Sequence, residues 1–265
     1  METEKLNKIA NKIRQLIIIS LVHAKSGHPA GALGLADIFS FLYFKYLNIN
    51  KNNYKLNNRD ILILSNGHTC PVLYATLALK NFFDLKLLTT LRSIDSKLQG
   101  HPHFQMLPGI ENTGGPLGQG ISQSIGRAIA NPNVKVVCII SDGELQEGQT
   151  WEALMFIGNS SLKNLTVIID RNNIQISGFV ESTMPVEPLQ QKLQSFNLVT
   201  FDTDGNNIND LIDVFNKRDL VEKPAVIIAN TVPGMGVSFM ENNYEWHGKT
   251  ISKEEAKIAL GQLKG

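Results

Sequence analysis

The sequence predicts an α/β protein: a single domain built on a mostly parallel sheet with helices on both faces. Short, continuous apolar runs recur at "DILILS" (60–65), "VKVVCII" (134–140), "LTVIID" (165–170) and "AVIIAN" (225–230), with a weaker fifth in "NLVTFD" (197–202). Helical patterns such as "PVLYATLALKNFF" and "QTWEALMFIGNSSLK" separate them. Strands that are apolar throughout are covered on both faces, and alternation with helices makes them parallel.

The elements follow in order. Residues 4–25 carry helix-like apolar spacing that ends at "KSGHPAG", and "LADIFSFLYFKYL" reads as a second helix. A Gly/Pro-rich turn over 112–120 leads into a helix beginning near Gln119. No repeat, low-complexity tract or Pro/Gly/Ser-rich linker divides the chain, so residues 1–265 are expected to form one domain. The length suffices for a large core. A formal net charge of +1 gives no reason to expect nucleic acid or an anionic membrane as partner. "LIIISLV" is too short to span a bilayer, and the N-terminus shows no cleavable apolar segment, so a cytoplasmic, soluble protein is expected. Cys70 and Cys138 lie far apart beside apolar runs and read as reduced, structural thiols.

In a parallel sheet every strand delivers its C-terminal end to one edge, where ligands bind. Here those ends carry Asn66-Gly67-His68, Ser141-Asp142-Gly143-Glu144, Arg171-Asn172-Asn173 and Thr231-Val232-Pro233-Gly234. Asp142 and Asn172 hold equivalent positions on two strands joined by one helix. A carboxylate and an amide oxygen at such an edge suit a hard divalent cation. The alternative is that Asp142 only caps the following helix while Asn172 takes a left-handed turn. The glycine-rich turn at 112–120 offers backbone N–H groups at a helix start as a second anion site, although it is not a dinucleotide fingerprint. His28, His68, His101 and His247 sit in loops beside glycine, which favours ligand or proton-transfer roles over core packing. Their spacing is not that of a zinc site. His23, on the first helix, has no assigned role, and His103 shares the loop of His101.

Taken together, "SGHPAGALGLADI", "LSNGHTCPVLYA", "LQGHPHFQMLPGIENTGGPLGQGIS", "SDGELQEGQTWEA", "IIDRNNIQISG" and "WHG" stand in the order found in transketolases. The chain closely resembles that family from about residue 5 to 250. The resemblance implies a thiamine diphosphate-binding fold of the diphosphate-binding type. It implies that Asp142, Asn172 and the carbonyl of Ile174 bind Mg²⁺, or another divalent cation such as Ca²⁺ or Mn²⁺. His68, Gly143, Glu144, Asn172 and the Gly115-Pro116-Leu117 turn would line the cofactor, Glu144 mainly through its backbone N–H. His247 would sit between diphosphate and substrate, while His28 and His101 would face sugar hydroxyls and assist proton transfer. Glu147 and Glu152 would lie at a subunit interface and share a proton network with a glutamate of a partner, the alternative being favourable charges near a helix start. Ala30 and Ser141 depart from the usual small residues of the motifs without removing a ligand.

The resemblance covers one of the three domains of a full-length transketolase. It implies that the pyrimidine-binding and C-terminal domains belong to a separate subunit, in an α2β2 assembly. The implied reaction moves a two-carbon ketol unit from a ketose (phosphate) to an aldose (phosphate), in pentose phosphate metabolism, by the complex alone. Two alternatives are a related ketol transferase or synthase acting on an unusual sugar in a specialised pathway, and a non-catalytic homologue.

Overall fold

The computed structural model describes residues 1–264. Five parallel strands form the main sheet: β1 (Ile61–Leu64), β2 (Val136–Ser141), β3 (Leu165–Arg171), β6 (Val199–Asp204) and β7 (Ala225–Asn230), in the order β1-β2-β3-β7-β6. A two-residue-per-strand hairpin, β4 (Ile174–Gln175) with β5 (Gly178–Phe179), follows β3 directly. The helices are α1 (Glu2–Ala24), α2 (Pro29–Gly34), α3 (Ala36–Phe41), α4 (Cys70–Leu79), α5 (Gln119–Ala130), α6 (Gly148–Gly158), α7 (Val180–Thr183), α8 (Leu189–Ser195), α9 (Ile208–Asp219) and α10 (Lys253–Gln262).

Side chains alternate across the sheet with the period of two that a strand imposes. Leu62, Leu64, Val137, Ile139, Ile168, Ile227 and Ala229 join one core cluster with α1, α3 and α4. Ile61, Ile63, Val136, Cys138, Ile140, Val167, Ile169, Val226 and Ile228 join the other, with α5, α6 and α8. All residues of β2 are buried, as expected of a strand covered on both faces. Fully burying each of its large apolar side chains is worth roughly 1.5–3 kcal/mol, which makes this strand a rigid mount for whatever follows Ser141.

Two strands start later than their apolar runs, and for local reasons. Asn197 is left-handed (φ 63°) and its N–H bonds to Gln194 O, closing α8, so β6 begins only at Val199. Val134 N–H bonds to Asn131 O, and that turn delays β2 to Val136. The expected second helix ends in a π-turn over Leu42–Tyr46, closed by Leu47 N–H to Leu42 O at 2.8 Å. Cys70 and Cys138 are buried and unpaired, and burial raises both thiols.

Candidate active site

The site gathers on the carboxyl edge of the sheet. β2 and β3 are in register with Ser141 opposite Asp170, so Asp142 falls opposite Arg171 and Asn172 lies one residue beyond it. Asp142 is fully buried. Its Oδ1 accepts Gly143 N–H at 2.8 Å, and its Oδ2 accepts Asn173 N–H at 2.6 Å and Arg171 Nη1 at 2.7 Å. Burial pushes the Asp142 carboxyl up from its ordinary range, and these donors pull it back. The Asn172 amide is oriented from below. Its Nδ2 donates to Asp170 Oδ2 at 2.8 Å, while its Oδ1 accepts Ile174 N–H at 3.0 Å. Asp170 is itself buried, bonded to the Thr231 hydroxyl, and pushed up to about 7 by burial. The left-handed residue of this loop is Asn173 (φ 58°), not Asn172.

The donor set fits a hard divalent cation. A carboxylate offers about four lone-pair positions; three on Asp142 are filled, which leaves one, on Oδ1. Among the described residues no three His, Cys, Asp or Glu side chains converge as a metal cage. A cation held by Asp142, Asn172 and a backbone carbonyl therefore needs further oxygens from a ligand, the habit of Mg²⁺ with diphosphates.

Beside this loop opens a cleft of about 490 Å³ lined by His28, His68, His101, Gly115, Leu117, Ser141, Gly143, Gln146, Glu147, Ile174, Gln175, Ile176 and His247. Three histidines face one another: ring centroids lie 5.1 Å apart for His28–His68, 5.5 Å for His28–His247 and 5.1 Å for His68–His247. His28 Nδ1 is buried without a partner, an atom that a ligand hydroxyl in the cleft would satisfy. Burial is the first cause lowering all of them: His28 and His247 to about 4, His68 well below its usual value, and His101 downward. Neutral imidazoles can accept as well as donate protons near pH 7. His103 is exposed, and His23 sits exposed on α1 with Nδ1 2.8 Å from Ile19 O.

These histidines carry a pH signature. The unfolded chain takes up protons near 6.5, whereas folded His28 and His247 do so only at about 4. Their contribution to stability therefore falls as pH drops through that window and is flat below it. Asp170, raised to about 7, contributes in the opposite sense, so the signature is read as the difference between wild type and a variant lacking both histidines. After solvent screening, each histidine contributes on the order of 2 kcal/mol, together roughly 5–10 °C in Tm. Thermal melts of wild type and His28→Asn/His247→Asn against pH read this directly. Curves that stay parallel between pH 6.5 and 4 would refute it.

The cleft wall depends on close backbone contact. A Cβ on Gly67 would stand 2.9 Å from Gly115 N and 3.0 Å from Gly114 Cα, so the turn after β1 presses directly on the 114–117 turn. Behind that turn the structure places Glu144, fully buried, with its side chain outside the cleft. Its carboxylate accepts the Ser65 hydroxyl, Gly118 N–H at 2.5 Å and Ser141 N–H at 3.3 Å. Its own N–H donates to Ser141 Oγ at 3.3 Å. Gly118 is the N-cap of α5 and Gly120 N–H is taken by Ser65 Oγ at 3.0 Å. The start of α5 thus meets an internal anion, and external anions are left with the Gly115–Leu117 turn, where Pro116 is exposed. Gln149 Nε2 holds that turn through Leu117 O at 2.7 Å.

Of the remaining predicted residues, Glu147 is the exposed N-cap of α6 and borders the cleft. Glu152 is exposed one turn further along α6, outside the cleft. Ser65, Arg171, Gln146, Gln175 and Ile176 were not singled out by sequence. Ser65 and Arg171 lie within quoted motifs but carried no assigned role, because their partners lie far away in the chain.

Fold and site define a parallel α/β domain whose carboxyl edge places the buried Asp142 and Asn172 beside a histidine-lined cleft. The profile of a family described as "Transketolase, thiamine diphosphate binding domain" matches residues 5–263, and the chain belongs to that family. It is 36% identical over 260 residues to the 6-deoxy-6-sulfo-D-fructose transketolase subunit SqwG of Clostridium sp. (strain MSTE9), covering 96% of this chain and 94% of that one. It is 35% identical over 266 residues to an apulose-4-phosphate transketolase subunit of Actinobacillus succinogenes, covering 98% and 96%. The solved transketolase of Campylobacter jejuni superposes with a TM-score of 0.92 at 33% identity, covering 99% of this chain but 43% of that one. Among the described residues no helix is long and apolar enough to cross a membrane.

Proposed function

We propose that this chain is the diphosphate-binding subunit of a two-chain transketolase, competent only with a partner carrying the pyrimidine-binding and C-terminal domains. The observation that carries the reading is that the buried Asp142 and Asn172 sit in the loops flanking Ser141, Gly143 and Ile174, which line the same cleft as His28, His68 and His247. Thiamine diphosphate, when bound, supplies the carbon nucleophile for moving a two-carbon ketol unit between sugars.

The chain's own residues do the rest. Asp142, Asn172 and the Ile174 carbonyl hold the divalent cation; Gly143, His68 and the Gly115–Leu117 turn receive the diphosphate. His28, His101 and His247 orient sugar hydroxyls and carry protons between them, which their neutral state permits. The partner reading draws support from relatives of matching length that are named subunits. It also draws on α6, where Glu152 stands exposed beside Met155 and Phe156, 50% and 53% accessible. An exposed apolar pair next to acids suits a protein interface. There Glu147 and Glu152 would join a proton network completed by another chain, in an α2β2 assembly. The substrates are a ketose and an aldose, phosphorylated or, as the names of the relatives suggest, of less common type.

The test is reconstitution. The purified chain with thiamine diphosphate and Mg²⁺ should release no aldose from a ketose phosphate donor, and adding the partner subunit should restore turnover. Substantial turnover by the chain alone would sink the two-chain reading.

A further inference from the structure

The Asp142 side chain does not stand free at the edge of the sheet. Arg171, one residue before Asn172, reaches over to the end of the neighbouring strand β2 and grips it. Arg171 Nη1 donates to Asp142 Oδ2 at 2.7 Å and Nη2 to Glu181 Oε1 at 2.7 Å, while Nε and Nη2 approach Glu187 Oε1 at 3.3 and 3.2 Å. The guanidinium is only 10% accessible. Glu181 and Glu187 also pin their own segment, accepting Val186 N–H at 3.2 Å and Leu189 N–H at 2.7 Å. Glu181 N–H in turn donates to Asn173 Oδ1 at 3.0 Å, back in the metal loop. One planar cation thus joins the metal loop to residues 180–189.

A cation so close to a metal-ligating carboxylate raises a question of sign. As a bare charge it repels a second cation and weakens metal binding. As a positioner it occupies Oδ2 and, with Asn173 N–H, leaves Oδ1 alone facing the loop, which favours metal binding. Two facts decide between them. Three carboxylates surround the guanidinium, so its charge is more than balanced where it stands. Its fork also serves several acceptors at once, a geometry that an ammonium cannot copy.

We propose that Arg171 is a positioning residue for the divalent cation: it fixes the Asp142 carboxylate so that only Oδ1 is offered, and it links cation loading to the order of residues 180–189. This rests on the cofactor reading given above. The bare-charge alternative predicts the opposite sign for the same variant.

The experiment titrates Mn²⁺, with thiamine diphosphate present, into the chain reconstituted with its partner subunit and follows free Mn²⁺ by electron paramagnetic resonance against a protein-free blank. Hydrogen exchange of residues 180–189 is measured with and without the metal. Arg171→Gln should weaken Mn²⁺ binding roughly 10–100-fold, the usual cost of losing a residue that orients a metal ligand. Because Arg171→Gln leaves buried Asp142 unpaired and can impair folding, Arg171→Lys serves as the second variant. It keeps the charge, and should still lose several-fold in affinity together with the metal-induced protection of residues 180–189 seen in wild type. Unchanged or tighter Mn²⁺ binding in a folded Arg171→Gln chain overturns the inference. So does Arg171→Lys with wild-type affinity and wild-type protection. Wild type that binds no Mn²⁺ under these conditions overturns the metal assignment underneath, a result distinct from either.

Discussion

Asp142→Ala should abolish Mg²⁺-dependent thiamine diphosphate binding, with cofactor affinity falling by two to three orders of magnitude. The side chain is fully buried, with three donors aimed at it. Removing it takes away the one full negative charge offered to the cation and leaves the Arg171 guanidinium in its place. Losing a residue that only orients a metal ligand costs about 10–100-fold in affinity, and losing the charged ligand itself costs more, roughly 10²–10³-fold, or about 3–4 kcal/mol. Asp142→Asn separates charge from shape, because the amide can still accept Asn173 N–H while offering a cation no net charge. It should retain most of the fold and still lose most of the metal dependence. Calorimetric titration of cofactor, with and without Mg²⁺, reads both variants. Unchanged affinity in Asp142→Ala refutes Asp142 as the metal ligand and returns it to capping the turn that follows β2.

The sheet was legible because its physics is local and periodic. β1, β2, β3 and β7 are nearly continuous apolar runs, and a strand buried on both faces has no other way to look. The edge strand β6 read weakly for the matching reason. Its burial is partial, with Asp202 and Asp204 exposed, so apolar continuity is lost. The rule that parallel strands end on one edge brought His68, directly after β1, to the site, whereas His28, His101 and His247 follow no strand end and were placed there only by the family resemblance. What stayed hidden depends on pairing across long sequence gaps. Ser65 and Glu144 meet from 79 positions apart, and Asp170 reaches Thr231 across 61. No periodicity announces such contacts. A charged residue beside a candidate ligand, as Arg171 stands beside Asn172, was the one signal available for Arg171, and its three carboxylate partners are brought together only by the fold. The acid-rich stretch after β2 separates in the same way. Asp142 is buried in the loop after β2, Glu144 is buried behind the cleft wall, and Glu147 and Glu152 face outward.

Glu144→Ala should be among the most destabilising single changes in the site, and should weaken cofactor binding without the side chain touching the cofactor. The carboxylate joins three segments: Ser65 after β1, Gly118 at the head of α5 and Ser141 at the end of β2. Truncation leaves a hydroxyl and two N–H groups buried with no acceptor. Each unsatisfied group costs about 1–3 kcal/mol, and α5 loses the anion at its positive end, worth up to about 2 kcal/mol where partly buried. Relaxation recovers part of this, so a net loss of about 3–5 kcal/mol and a fall in Tm of roughly 10 °C is expected. Glu144→Gln keeps the shape and an acceptor oxygen while removing the charge, and its amide N–H₂ must displace one of the three donors. It should lose about half as much. The functional consequence is positional. Gly118 N–H anchors the C-terminal end of the Gly115–Leu117 turn, so losing its acceptor loosens the backbone proposed to receive the diphosphate, and cofactor affinity should fall several-fold in Glu144→Gln even where the chain is fully folded. Differential scanning calorimetry and thiamine diphosphate titration on the same samples check both parts. A Glu144→Ala chain that melts within about 2 °C of wild type would show that the three donors find water or one another, and that Glu144 is not what holds the cleft wall to α5.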